Sequence, residues 1–175
     1  NLKDLSFVTD LSLKDDKITA NPYLATSSLH FALDGDTYVN NWPVSVSLPV
    51  VADTAITNIA INRAYVKAID KRLNFSANAN LSSNGDIKGN ANIEMHSVDM
   101  ISLMEMIPES LKYLVEGIEL DALMDTKIDI DGGILANGEM MLNKANAILA
   151  LTNLDAAYND SIFAESGFVW ADITY

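Results

Sequence analysis

Cysteine is absent from this chain of 175 residues, so neither a disulfide nor a thiolate metal site is available to it. Basic residues are few. Eleven Lys and Arg stand against 24 Asp and Glu, a formal net charge of −13. That balance argues against nucleic acid, whose phosphates reward cations, and equally against docking on anionic headgroups. No run of about 20 apolar residues occurs, so no transmembrane span is expected, and no signal peptide is visible. Glycine is limited to eight positions, none in a phosphate-binding loop pattern. Histidine is limited to His30 and His96, both on polar faces of expected strands, which leaves any metal site to carboxylates. The chain starts at Asn1 without Met and stops at Tyr175 inside the alternating run FVWADITY. It is therefore expected to be one β-rich segment, residues 1–175, excised from a larger protein.

What the chain does have is alternation. Leu5, Phe7, Leu11 and Leu13 face away from Ser6, Asp10 and Ser12, which predicts a first strand. A short piece around Ile18 and Ala20 breaks at Asn21-Pro22. Leu29, Phe31 and Leu33 alternate with His30 up to a turn at Asp34-Gly35-Asp36. Val44, Val46 and Leu48 alternate between Pro43 and Pro49, which suits an edge or a strand end. Residues 55–70 mix two periods, and a strand is preferred there. The clearest hairpin follows. Leu73, Phe75, Ala77, Ala79 and Leu81 alternate with polar residues, Ser83-Asn84-Gly85 turns the chain, and Ile87, Gly89, Ala91, Ile93 and Met95 return on the same parity.

One helical insert, residues 99–117, interrupts the pattern. Asp99 suits an N-cap, Pro108 the first position of a second short helix, and Gly117 a stop, with Leu111, Leu114, Val115 and Ile118 on one flank. From Leu120 the period returns to 2. Even positions through Ile130 are mostly apolar, odd positions are charged except Leu123, and the strand is predicted to end in a turn at Gly132-Gly133. Further alternating runs carry Met140 and Leu142, Ala145 to Leu151, Leu154 to Tyr158, Ile162 and Ala164, and Val169 to Ile173, with parity shifts that mark turns or bulges. The fold class is mainly β: a curved antiparallel sheet, either an open β-groove or a β-sandwich, with the one short helical insert.

Candidate chemistry is thin. Asp125, Asp129 and Asp131 before Gly132 superficially resemble a calcium loop, but Lys127 holds the first ligand's place and Glu139 falls one residue late. His96, Ser97 and Asp99 are adjacent in sequence, which does not make a triad. Neither a catalytic nor a cofactor site is assigned, and no enzyme activity is expected. The apolar face itself is the remaining signal. In a sandwich it is ordinary core. In an open trough it needs an apolar cover such as acyl chains.

The order of a short helix ending in Leu103 to Pro108, a second amphipathic turn from Leu111 to Gly117, the charged alternating strand Asp121 to Gly133, and the series Gly138, Leu142, Leu149, Leu151 and Leu154 resembles the AsmA-like superfamily of bacterial envelope proteins. Among its members the TamB and YdbH type is meant, with the YdbH "dicarboxylate transport" domain favoured. The resemblance implies a portion of a periplasmic β-groove whose parent is anchored in the inner membrane and passes phospholipid between the inner and outer membranes. It implies acyl chains as partners, an outer-membrane lipoprotein as a partner of the full-length protein, and no covalent step. Under it, Leu73, Phe75, Leu81, Ile87, Ile93, Met95, Met124, Ile128 and Ile130 line the groove. The alternative is a β-sandwich adhesion or carbohydrate-binding module that stacks sugars on Trp42, Trp170 or Tyr175.

Overall fold

The computed structural model describes the backbone of residues 1–175 and all side chains but those of Ile162 and Ser166. Its elements are β1 (Leu2–Lys3), β2 (Ser6–Val8), β3 (Leu11–Lys14), β4 (Lys17–Ala20), β5 (Tyr23–Leu33), β6 (Asp36–Ser47), β7 (Val50–Asp53), β8 (Asn58–Ala68), β9 (Lys71–Leu81) and β10 (Ile87–Asp99). Then come α1 (Met100–Glu105), a 3₁₀ helix (Glu109–Leu114), β11 (Ile118–Ile134), β12 (Met140–Tyr158) and β13 (Ser161–Thr174). All thirteen strands belong to one antiparallel sheet with the path β1-β5-β6-β8-β9-β10-β11-β12-β13, while β2 pairs with β5 and a branch β3-β4-β7 joins β8. The sheet is open and does not close into a barrel. Of the two architectures expected, a groove or a sandwich, the chain adopts the single open sheet.

The branch arises because several strands break along one line. Asn21-Pro22 separates β4 from β5, and Leu48-Pro49 separates β6 from β7. Each proline lacks the N–H a central ladder needs. Backbone bonds stitch the line together: Asn21 N–H to Asp10 C=O at 3.0 Å, Leu48 N–H to Pro22 C=O at 3.0 Å, and Asn62 N–H to Pro49 C=O at 3.0 Å. The predicted first strand, Leu5 to Leu13, is split by the same crease, and Asp4, whose φ is +51°, sets a further short strand before it. It becomes β2 and β3, with β1 ahead of it. Pro43 lies inside β6 instead of bracketing it, one residue before the ladder to β8 begins at Val44. Residues 58–68 form a strand, as preferred from sequence.

Gly132-Gly133 is not a turn. β11 runs through both glycines to Ile134, and the chain reverses at residues 135–138, where Gly138 donates to the Leu135 carbonyl. Gly132 stands opposite Gly89 of β10. A Cβ at Gly132 would come within 2.3 Å of the Met141 carbonyl oxygen, and one at Gly89 within 1.9 Å of that of Asn78. These glycines let neighbouring backbones approach where the sheet coils, a use that a lone sequence pattern shares with turns.

Among the described residues five are buried: Thr26, Ala64, Val98, Ala122 and Leu154. Strand pairing puts all five on the apolar face. Ala64, Val98 and Leu154 each directly follow a left-handed residue, Arg63, Ser97 and Asn153, at which the register to a neighbouring strand shifts by one. These are β-bulges, which bend a strand and raise its twist. They also explain the parity shifts in the sequence, since Val98 shares a face with Met95 only because an extra residue intervenes. The chain exposes 11471 Å². A compact monomer of its 19.0 kDa exposes about 8,400 Å². The excess is the signature of a sheet that leaves most of its faces uncovered.

Candidate functional site: the inner apolar face

The strand register gathers all nine candidate lining residues on one face. Phe75, Ile93 and Ile128 form a row across β9, β10 and β11, continued by Ala64 of β8 and Ala147 of β12. Leu73 is opposite Met95, Leu81 opposite Ile87, Ile130 opposite Ala91, and Met124 opposite Val98. None of the nine is buried. Leu81, Ile87 and Ile130 are 43%, 41% and 37% exposed, and the other six are half-buried. The buried residues share this face, so it is the inner side of the curve. Between the Phe75 row and the Leu81–Ile87 end lie Ala77, Ala79, Gly89, Ala91, Gly132 and Ala145, so the middle of the trough has a floor with little side chain on it.

The helical insert covers one end. Asp99 starts it by accepting from the Ile101 N–H at 3.0 Å and from the Ser102 hydroxyl at 2.6 Å. The Ser102 bond, foremost, holds the Asp99 carboxyl below its ordinary value. Pro108 precedes the 3₁₀ helix as its N-cap, and Gly117 ends the insert at φ +76°. α1 packs on β10 and β11, whereas the 3₁₀ helix reaches β6, three strands along the sheet path from β10. The insert therefore bridges the curve. It buries none of its own residues: Tyr113 is 68% and Leu114 61% exposed.

Between the insert and β11–β13 lies a cavity of about 1250 Å³, larger than the roughly 300–1,000 Å³ of drug-sized sites. Apolar residues from both walls line it, among them Ile101, Met104, Val115, Ile118, Leu120, Ala156 and Ala164. None belongs to the nine predicted lining residues. The sequence signal for it was the interleaving of Glu105, Glu109, Glu116 and Glu119 with the apolar insert, a pattern that also suits an ordinary solvated helix.

The opposite, polar face is occupied with itself. Lys127 Nζ lies 3.8 Å from both Glu94 and Asp129, and His96 lies 3.5 Å from Glu94 and from Asp125. The three aspartates of the calcium-like stretch are engaged separately: Asp125 accepts from the Ser97 N–H, Asp129 from Asn92 and Asp131 from Asn143. No group of three acidic or histidine side chains suited to a metal occurs among the described residues. Asp99 serves the helix cap, so His96, Ser97 and Asp99 are not assembled as a catalytic unit. Of the aromatics weighed for sugar stacking, Trp170 and Tyr175 are exposed and Trp42 is half-buried opposite Leu29. Among the described residues no helix is long and apolar enough to cross a membrane. Compared with protein-family models, with curated proteins and with solved structures, the chain matches none.

Proposed function

We propose that this chain is a segment of a bridge-like periplasmic protein that carries phospholipid between the inner and outer membranes, with acyl chains against the inner apolar face and headgroups in water. The observation that carries the reading is a continuous apolar face, from Leu73 on β9 to Ile130 on β11, that the chain curves inward and does not cover. An uncovered face of this extent marks an interaction site. Hydrocarbon suits it because keeping each CH₂ out of water is worth about 0.8 kcal/mol, so a trough lowers the cost of moving a chain between bilayers. The resemblance of residues 103–154 to the AsmA-like superfamily supplies the setting: the periplasm, a parent held in the inner membrane, and an outer-membrane lipoprotein as its counterpart.

The test places a photo-crosslinking residue at Ile93, between Phe75 and Ile128. Phospholipid crosslinks are expected there, and Phe75→Asp or Ile128→Asp in a chain that still folds should cut them several-fold, because a carboxylate in hydrocarbon is strongly disfavoured. Native mass spectrometry of the purified segment should find phospholipid. Undiminished crosslinking in the folded variants, or a chain free of lipid, defeats the reading.

A further inference from the structure

The two edges of the sheet are defended differently. At one end the ladder is broken into β1, β2 and β3, of two, three and four residues, and short edge strands are one way a sheet avoids adding another. At the other end β13 runs for 14 residues and pairs only with β12. It holds no Lys, Arg or Pro, the residues that blunt an edge. It is also apolar on both faces. Val169 and Ile173 lie on the inner face beside Leu151 and Ala147, while Phe168 and Trp170, 63% and 57% exposed, lie on the outer one. That outer side is polar elsewhere, as at Asn92, Glu94 and Asp129. Tyr175 exchanges both backbone bonds with Ala145, at 2.8 and 3.1 Å. Counted back in twos along the register, Ile173, Ala171 and Val169 also bond towards β12, so the N–H and C=O groups of Trp170, Asp172 and Thr174 point away from the sheet. Such an edge is a template for a further strand.

Strand direction decides how a second copy can supply it. The path from β1 to β13 holds nine strands paired antiparallel throughout, so β1 and β13 run the same way. A copy offering its β1 edge to β13 must pair in parallel, the weaker ladder, or turn its inner face outward. A copy offering its own β13, brought in by a two-fold axis normal to the sheet, pairs antiparallel and keeps both inner faces on one side. We infer that the chain forms this two-fold dimer through β13, with the axis at Ala171, so that two inner faces join into one continuous trough. Val169 then meets Ile173 of the second copy, and Trp170 meets Asp172, which keeps the two Asp172 carboxylates from standing opposite each other. The two Trp170 rings become diagonal neighbours, within reach of aromatic contact. With Phe168, Trp170 and the 74% exposed Tyr175 from each copy, the joint covers on the order of 1,000 Å², the area at which specific association begins. The pairing itself needs no lipid.

Sedimentation equilibrium of the purified chain should give a dimer at about 100 μM that dissociates on dilution. Added salt should tighten it, because each copy carries a net charge of −13. Asp172→Pro removes an outward N–H and leaves the ladder to β12 whole, and Ala171→Lys sets two like charges directly opposite each other. Each should weaken association at least about ten-fold without moving the urea midpoint of the monomer. Asp172→Asn keeps the N–H and should not weaken it. Because the chain has no cysteine, Ala171→Cys should oxidise to a covalent dimer, its Cα atoms being opposed at about 4.5 Å. Ile93→Cys, on the same face but away from the edge, should not. A chain that stays monomeric at that concentration overturns the inference and leaves β13 to a strand of different sequence. A dimer that Asp172→Pro leaves intact, or that Ala171→Cys does not capture, overturns it too.

Discussion

Backbone proximity sets the tightest demand on individual side chains. Gly89 has no room for a Cβ, which would stand 1.9 Å from the Asn78 carbonyl oxygen and 2.9 Å from its carbon. Neither atom belongs to a flexible side chain, so a strand would have to move. Gly89→Val is expected to destabilise the chain by about 3 kcal/mol, read from the urea midpoint. Gly35 offers the contrast, with nothing within 4 Å and φ at +92°, so Gly35→Ala should cost only the roughly 1–2 kcal/mol of a left-handed alanine. A Gly89→Val chain as stable as the unmodified one would show that β9 and β10 do not approach as described. The same glycines mark a limit of what could be read from the sequence. Gly132-Gly133 carried a turn signal because the residues they oppose, Gly89 and Lys88, are more than forty positions away, and only pairing reveals that the requirement is closeness and not reversal.

Whole elements were legible wherever both strands of a pair kept an unbroken period. The β9–β10 hairpin was, from Leu73 opposite Met95 to Leu81 opposite Ile87. The insert was legible too, since Asp99, Pro108 and Gly117 are chemical punctuation that works locally. β5, β6 and β12 were seen only in pieces, because bulges between Thr26 and Leu29 and at Asn41, Asn143 and Asn153 change parity in mid-strand and make one strand look like two. The insert also yields a test. With its folded carboxyl lowered chiefly by Ser102, Asp99 contributes stability that is fully present above the unfolded carboxylate value and is lost as pH falls through the lower folded one. Asp99→Ala removes the cap at any pH. Amide exchange at Ile101 and Ser102 should then be several-fold faster at neutral pH, and the unmodified chain should lose this extra protection only as pH falls below the ordinary carboxylate range, while the variant lacks it throughout. Equal protection in both chains would mean that packing on β10 and β11 starts the helix without the cap.

For the molecule taken entire, the decisive quantity is surface. An area of 11471 Å² against about 8,400 Å² for a compact chain of this mass means that folding leaves unburied much of the apolar face it has sorted to one side. Alternation foretold that face but not its fate, because period 2 is the same whether a second sheet or a foreign molecule lies across it. The side that turns inward is decided by the bulges before Ala64, Val98 and Leu154 and by the bridge from α1 to β6. An incomplete interior has a thermodynamic consequence: a ligand that completes it binds the folded chain and not the unfolded one, and must stabilise it by mass action. At a free lipid concentration a hundred times its dissociation constant the gain is about 2.7 kcal/mol. For a chain of this length that corresponds to a melting temperature higher by roughly 5–10 °C. Lipid-loaded and detergent-stripped samples compared by scanning calorimetry should differ by that amount. The Phe75→Asp chain should melt at the same temperature with or without lipid. If stripping leaves the melting temperature of the unmodified chain unchanged, hydrocarbon contributes nothing to the folded state, and the open face must be covered by protein.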